Sequence, residues 1–138
     1  MDHPQILIAE DSQLTIRLYQ RILSEFGYNC HIAENGREAI AKYKLLKNKP
    51  EVVIIDYHMP IMDGLTAMSK ILKLNPYQSI LFASADSDIK NTVMDLGASD
   101  FLNKPFEVSE LIGIIRKITK KDQSIDINQS EKIRSELI

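Results

Sequence analysis

The chain has 138 residues, 44% hydrophobic and 26% charged, which suits one domain with a single sizeable core and excludes global disorder. A net charge of −2 gives no general electrostatic drive toward nucleic acid or an anionic membrane. One cysteine, Cys30, excludes an internal disulfide, and the opening MDHPQILIAED has no basic leader and an apolar run too short for a signal peptide or a membrane span. These features lead to the expectation of a reducing cytoplasm, with Cys30 as a small buried strand residue.

Short apolar runs alternate with amphipathic stretches along the chain. QILIA (5–9) reads as a buried strand. Ser12 is a good N-cap, and the helix after it places Leu14, Leu18, Ile22 and Phe26 on one face, with Gly27 as its stop. YNCHIA (28–33) predicts a second strand. NGREAIAKYKLLKNKP then gives a helix with Ala39, Ile40, Tyr43 and Leu46 inward, ended before Pro50. EVVIID (51–56) is the third strand and GLTAMSKILKLNP (64–76) the third helix, with Asp63-Gly64 as the turn that opens it. SILFASA (79–85) and DIKNTVMDLG (88–97) repeat the unit, and SDFLN (99–103) with VSELIGIIRKITK (108–120) completes five pairs. The strands are continuous Val/Ile/Leu runs, as expected where both sheet faces are covered. The expectation is an α/β fold: a doubly wound, five-stranded parallel sheet flanked by helices. Residues 1–121 form the domain, and the polar 122–138 read as a tail or linker stub.

In such sheets functional groups gather at the carboxyl ends of the strands, near the point where strand order reverses. Those ends carry Glu10 and Asp11, Asp56, Ser84, and Lys104-Pro105. In the strand order 2-1-3-4-5, taken over from known doubly wound sheets, the first and third strands are neighbours, so Glu10, Asp11 and Asp56 converge. Two like charges about 4 Å apart cost roughly 4 kcal/mol at an effective dielectric near 20. Either one carboxylate keeps its proton or a cation sits among them. Carboxylate oxygens with open water positions suit Mg²⁺. The Ser84 hydroxyl and Lys104 ammonium would complete a phosphoryl site, with Asp56 as its nucleophile. His3, His31 and His58 are too scattered in sequence to argue for zinc.

The runs AEDS, IIDYHMPIMDG, FASA and GASDFLNKPF, in this order and spacing, resemble the receiver domain of two-component response regulators over about residues 5–121. The resemblance implies a flavodoxin-like (βα)5 fold and a phospho-accepting role for Asp56. It makes Asp11 a direct Mg²⁺ ligand, Glu10 a ligand through water, and the backbone carbonyl of His58 a further ligand. Ser84 and Lys104 would bind the phosphoryl oxygens, the Lys104–Pro105 peptide would be cis, and Phe101 would be the switch aromatic. His58 and Asp86 occupy the positions that would tune dephosphorylation. The implied partners are a histidine kinase or phosphotransfer protein and a downstream protein on the face formed by the fourth helix, fifth strand and fifth helix. No direct nucleic acid binding by this chain and no membrane contact are expected. Lys90, Asp100 and Glu110 fit a charge pattern used for dimerisation on that face, but Ile114 stands where a basic residue is wanted, so a monomer or weak dimer is expected. Two other readings compete: a receiver-like scaffold that is never phosphorylated, and a small Asp-nucleophile phosphatase. The intact set of five polar residues speaks against the first, and the DYH run, with no second Asp at His58, against the second.

Overall fold

The computed structural model describes residues 3–119; the expected tail, 122–138, lies outside the described residues. Five strands, β1 (Gln5–Ala9), β2 (Asn29–Ala33), β3 (Val52–Asp56), β4 (Ile80–Ser84) and β5 (Asp100–Asn103), alternate with five helices. The helices are α1 (Gln13–Glu25), α2 (Gly36–Leu45), α3 (Gly64–Leu74), α4 (Lys90–Leu96) and α5 (Val108–Thr119). The sheet is parallel throughout, in the order β2-β1-β3-β4-β5.

Every residue of β3 and β4 is buried. Successive strand residues point to opposite faces, so these two strands feed two cores. Ile54 and Leu81 pack with Tyr19, Ile22, Leu111 and Ile115 on one side. Ile55 and Phe82 pack with Tyr43, Met68, Ile71 and Val93 on the other. Each fully buried aliphatic side chain of this kind contributes about 1.5–3 kcal/mol of transfer free energy. The register pairs Ala9 with Ile55, and Asp56 with Ala83. The residue after β1, Glu10, therefore emerges beside Asp56.

Three local expectations need correction. The α1 face is Ile16, Tyr19, Ile22 and Leu23, whereas Leu14 is 79% and Leu18 42% exposed. A strict spacing of four drifts about 40° per step around a helix of 3.6 residues per turn, so only Ile22 of the expected quartet is fully enclosed and Phe26 is partly buried. The second correction concerns α2, which stops at Leu45. Leu46 turns to extended backbone, and the Lys49 ammonium donates to the carbonyls of Tyr43 and Lys44. A cation on the last carbonyls is a favourable helix ending. The third is the fourth helix: a short 3₁₀ turn, Ser87–Ile89, takes up its expected start, and α4 follows from Lys90. No described helix is long and apolar enough to cross a membrane.

Candidate functional site

Three helices start where the sheet delivers its polar residues, and each is capped. Ser12 Oγ accepts from the Thr15 amide, Asn35 Oδ1 from Glu38, and Asp63 Oδ1 from Thr66. Such caps satisfy helix-end donors that have no partner in the helix. They also fix the loops that carry Asp11 and His58.

Glu10, at the end of β1, is 1% exposed, and Asp56, at the end of β3, is 8% exposed. Asp11 faces solvent. One carboxylate oxygen from each of the three lies within 4.8 Å of the others. Lys104 reaches in from the end of β5, with its Nζ 2.6 Å from Glu10 Oε1 and 2.7 Å from Asp56 Oδ1. The other Glu10 oxygen accepts from the amides of Asp11 and Ser12 at 3.0 and 3.2 Å.

Burial is the largest influence on Glu10 and raises its pKa; the Asp56 charge adds to this, while Lys104 and the Ser12 amide oppose it. For Lys104 burial works against the charge, but hydrogen bonds to Asp56 and Glu10 outweigh it, and the pKa is raised. The ammonium therefore stays protonated at neutral pH. Three carboxylates against one ammonium leave a formal charge of −2. An all-oxygen donor set with that charge, open to water through Asp11, fits a hard divalent cation such as Mg²⁺.

Ser84, at the end of β4, is 1% exposed, and its Oγ accepts from the Asp86 amide at 3.0 Å. The Lys104 amide donates to the Ser84 carbonyl at 3.0 Å, and the Lys104–Pro105 peptide is cis. Phe101 is 6% exposed and turned inward, its ring stacked 6.5 Å from that of Phe82. His58 lies exposed at the rim, its ring against that of Tyr57. Asp86 is exposed, and its carboxylate is engaged by the Asp88 amide.

Glu10, Asp11, Asp56, His58, Ser84, Asp86 and Lys104 thus lie at or just beyond the carboxyl ends of the strands, while Phe101 sits within β5, opposite Phe82 of β4. Sequence reasoning read Gly64 only as a turn residue and passed over Ile61. Gly64 packs against the Asp56 backbone closely enough that a Cβ would stand 2.2 Å from the Asp56 carbonyl oxygen. A Gly following an Asp cap is the only trace of this in the sequence. Ile61 holds φ at 72°, a conformation costly for a β-branched residue; the Met62 amide closes back on the Pro60 carbonyl at 2.7 Å.

The family model for the response regulator receiver domain matches residues 6–116. The chain belongs to this family. The receiver is 34% identical over 119 residues to chemotaxis protein CheY of Thermotoga maritima, covering 84% of this chain and 98% of that protein. It is 40% identical over 108 residues to a protein-glutamate methylesterase/protein-glutamine glutaminase of Vibrio parahaemolyticus, covering 75% of this chain and 29% of the relative. Against the transcriptional regulatory protein PcoR of Escherichia coli it is 32% identical over 122 residues, covering 87% of this chain and spanning about half of that relative (53%). Among solved structures, the receiver superposes with a TM-score of 0.79 and 27% identity on the CheX-CheY-BeF3-Mg complex from Borrelia burgdorferi, covering 83% of this chain and 88% of that one. TrrA of Thermotoga maritima, crystallised with Mg²⁺-BeF, gives 0.76 and 29%, with coverages of 83% and 98%. This is a CheY-like receiver of two-component signalling, and its acidic pocket of Glu10, Asp11 and Asp56 is consistent with a Mg²⁺ and phosphorylation site.

Proposed function

We propose that the receiver accepts a phosphoryl group from the phosphohistidine of a histidine kinase or phosphotransfer protein onto Asp56. The observation that carries this reading is the placement of Asp56: a strand-end carboxylate 2.7 Å from the Lys104 ammonium and within 4.8 Å of Glu10 and Asp11 oxygens. An Asp56 oxygen attacks phosphorus, the P–N bond breaks, the imidazole leaves and takes up a proton, and an acyl phosphate remains. Asp11, Asp56 and the His58 carbonyl would hold Mg²⁺ directly and Glu10 through water, neutralising charge on the phosphoryl oxygens. Lys104 exchanges its Asp56 contact for a phosphoryl oxygen, and the Ser84 hydroxyl donates to another. These contacts exist only in the phosphorylated state, so they can bias a two-state equilibrium.

The readout is the α4-β5-α5 face, with Phe101 coupling the pocket to it and a downstream protein binding there. His58 and Asp86 flank the approach of water and set the lifetime of the acyl phosphate. The chain is a switch that accepts and loses one phosphoryl group, not a turnover enzyme, although a receiver of this kind forms part of a methylesterase relative. The domain comprises residues 1–121, acts in the cytoplasm, and is a monomer or weak dimer. Asp100, one member of the dimer charge pattern, is already paired with Lys117 at 2.7 Å.

Acetyl phosphate with Mg²⁺ should label the wild type with one acid-labile, hydroxylamine-sensitive phosphoryl group per chain. Asp56→Asn should remove the label and EDTA should prevent it. Labelling that persists on the Asp56→Asn protein at the same site would overturn the assignment. Loss of phosphate at an unchanged rate after His58→Ala with Asp86→Ala would remove the tuning role.

A further inference from the structure

α2 and α3 lie side by side over one face of the sheet, and the groove between their outer surfaces is a cavity of about 340 Å³. Its walls carry four cations, Arg37 and Lys44 from α2 with Lys70 and Lys73 from α3. Its floor is apolar, formed by Ile40, Met62 and Leu74, and Leu74 is 50% exposed. None of the four cations forms an ion pair among the described residues. No acidic side chain among the described residues lines the groove.

This segregation is written into the sequence. In a chain of net charge −2, residues 39–50 and 64–78 carry Lys42, Lys44, Lys47, Lys49, Lys70 and Lys73 and no Asp or Glu. A solvated helix face normally interleaves both signs, because i,i+4 pairs of opposite charge stabilise it. The pair Glu38–Lys42 follows that pattern at 3.1 Å, and the groove does not. Arg37 and Lys44 are seven residues apart, about two helical turns or 10 Å. The cations therefore edge the groove along its length instead of clustering at one end.

We propose that the α2–α3 groove is a docking surface for an acidic amphipathic helix of a protein partner. Leu-type anchors of that helix sit over Ile40, Met62 and Leu74, and flanking Glu or Asp residues meet the four cations. The occupant follows from charge and chemistry together. A nucleic acid has no use for an apolar floor and meets a chain of net negative charge. The receiver's own 121–138 segment carries Lys121, Lys132 and Arg134 as well as Asp122, Asp126, Glu131 and Glu136, so its composition is not the strongly acidic complement. Apolar anchors in a groove with charged edges are how helices are commonly read by a partner, and the edge charges set register and on-rate.

The groove is also tied to the phosphoryl site. Met62 belongs to the loop that joins Asp56 to α3, and its carbonyl accepts from the Gly36 amide at the start of α2 at 3.3 Å. A partner seated on Met62 therefore bears on the loop that carries His58. The docking surface itself does not depend on phosphorylation.

The test titrates the full chain with a synthetic amphipathic peptide of about 18 residues, roughly five helical turns, with Leu on one face and Glu along both edges. Amide NMR shifts locate the binding and fluorescence anisotropy gives its affinity. The expected result is shift changes centred on α2 and α3, with affinity falling as salt rises from about 0.05 to 0.5 M. Lys70→Glu with Lys73→Glu should weaken binding about tenfold or more, whereas Lys90→Glu, on α4, should leave it within about twofold. These side chains are exposed, and circular dichroism checks that each variant remains folded. Failure of the peptide to bind at about 1 mM, shifts elsewhere on the molecule, or tighter binding of phosphatidylserine vesicles or duplex DNA to the same face would each overturn the proposal.

Discussion

Gly64 sits against Asp56 so closely that a Cβ on it would stand 2.2 Å from the Asp56 carbonyl oxygen and 3.0 Å from its carbonyl carbon. The Gly64 amide meanwhile donates to the Tyr57 carbonyl at 2.9 Å, so the first residue of α3 clamps the end of β3. The obstructing atoms are backbone and cannot rotate aside. Gly64→Ala should therefore displace the strand end itself, lowering stability by about 1–3 kcal/mol and slowing acetyl phosphate labelling of Asp56. Urea unfolding and labelling kinetics check this. A stable protein labelled at the wild-type rate would show that the loop can yield without moving Asp56.

Lys104→Met removes the ammonium that bridges Glu10 and Asp56. Burial already raises the Glu10 pKa, and Lys104 is the main influence pulling it down, so the variant's Glu10 should be raised further. The sign follows from proton linkage. A carboxyl with a raised folded pKa binds more protons folded than unfolded, so its contribution is full below the ordinary value of 4.5 and is lost as pH rises through the folded value. The variant should lose stability more steeply than the wild type as pH rises above 4.5. At neutral pH the loss should reach roughly 3 kcal/mol, and added Mg²⁺ should restore part of it. Denaturation midpoints measured along that rise decide the matter, and parallel pH profiles would count against the coupling.

How much of this was legible in the sequence depends on the kind of residue. Val52–Ile55 and Ile80–Ala83 announce buried strands because both sheet faces are covered, so no alternation is needed to read them. Glu10, Asp56 and Ser84 were legible as the polar residues at which those runs stop. The Glu10–Lys104 contact at 2.6 Å was not, since it joins residues 94 positions apart through a long side chain whose direction is set by the turn after β5. The α1 face was misjudged because Leu14 and Leu18 are as apolar as the residues that are buried, and only three-dimensional packing selects Ile16 and Tyr19 in their place. Gly64 was legible as a turn residue but not as a steric necessity, because its neighbour is the backbone of another segment.

Cys30 lies on β2, opposite Ile6, and packs partly buried against the α1–α5 core. Burial pushes its thiol from 9.0 up to about 11. The folded state then holds the proton more tightly than the unfolded chain, so its contribution is complete below 9.0 and fades as pH rises through about 11. The thiolate is the reactive form, so iodoacetamide should modify the native protein far more slowly than the urea-unfolded protein at the same pH. The native rate should climb with an apparent pKa near 11. Alkylation followed by mass spectrometry measures both, and an apparent pKa near 9 in the folded protein would contradict the buried setting.

Two buried tyrosines should respond in opposite ways to loss of the hydroxyl. Tyr43 donates to Gln78 Oε1 at 2.8 Å and accepts from Asn75 Nδ2 at 3.1 Å, while Gln78 also donates to the carbonyls of Pro50 and Ser79. This network ties the end of α2 to the loop between α3 and β4. Tyr43→Phe leaves the buried Gln78 oxygen without its donor and should cost about 1–3 kcal/mol. The Tyr19 hydroxyl is buried with no partner among the described residues. Its pKa is raised, first by burial and then by the charges of Glu10 and Asp56. Its ring stacks 5.2 Å from that of Phe106, a contact that phenylalanine keeps. Tyr19→Phe should therefore be neutral or stabilising. Thermal melts of the two variants run side by side provide the check, since both remove one oxygen from a ring that is 1% exposed. Equal losses would mean that ring packing, not hydrogen bonding, governs both sites.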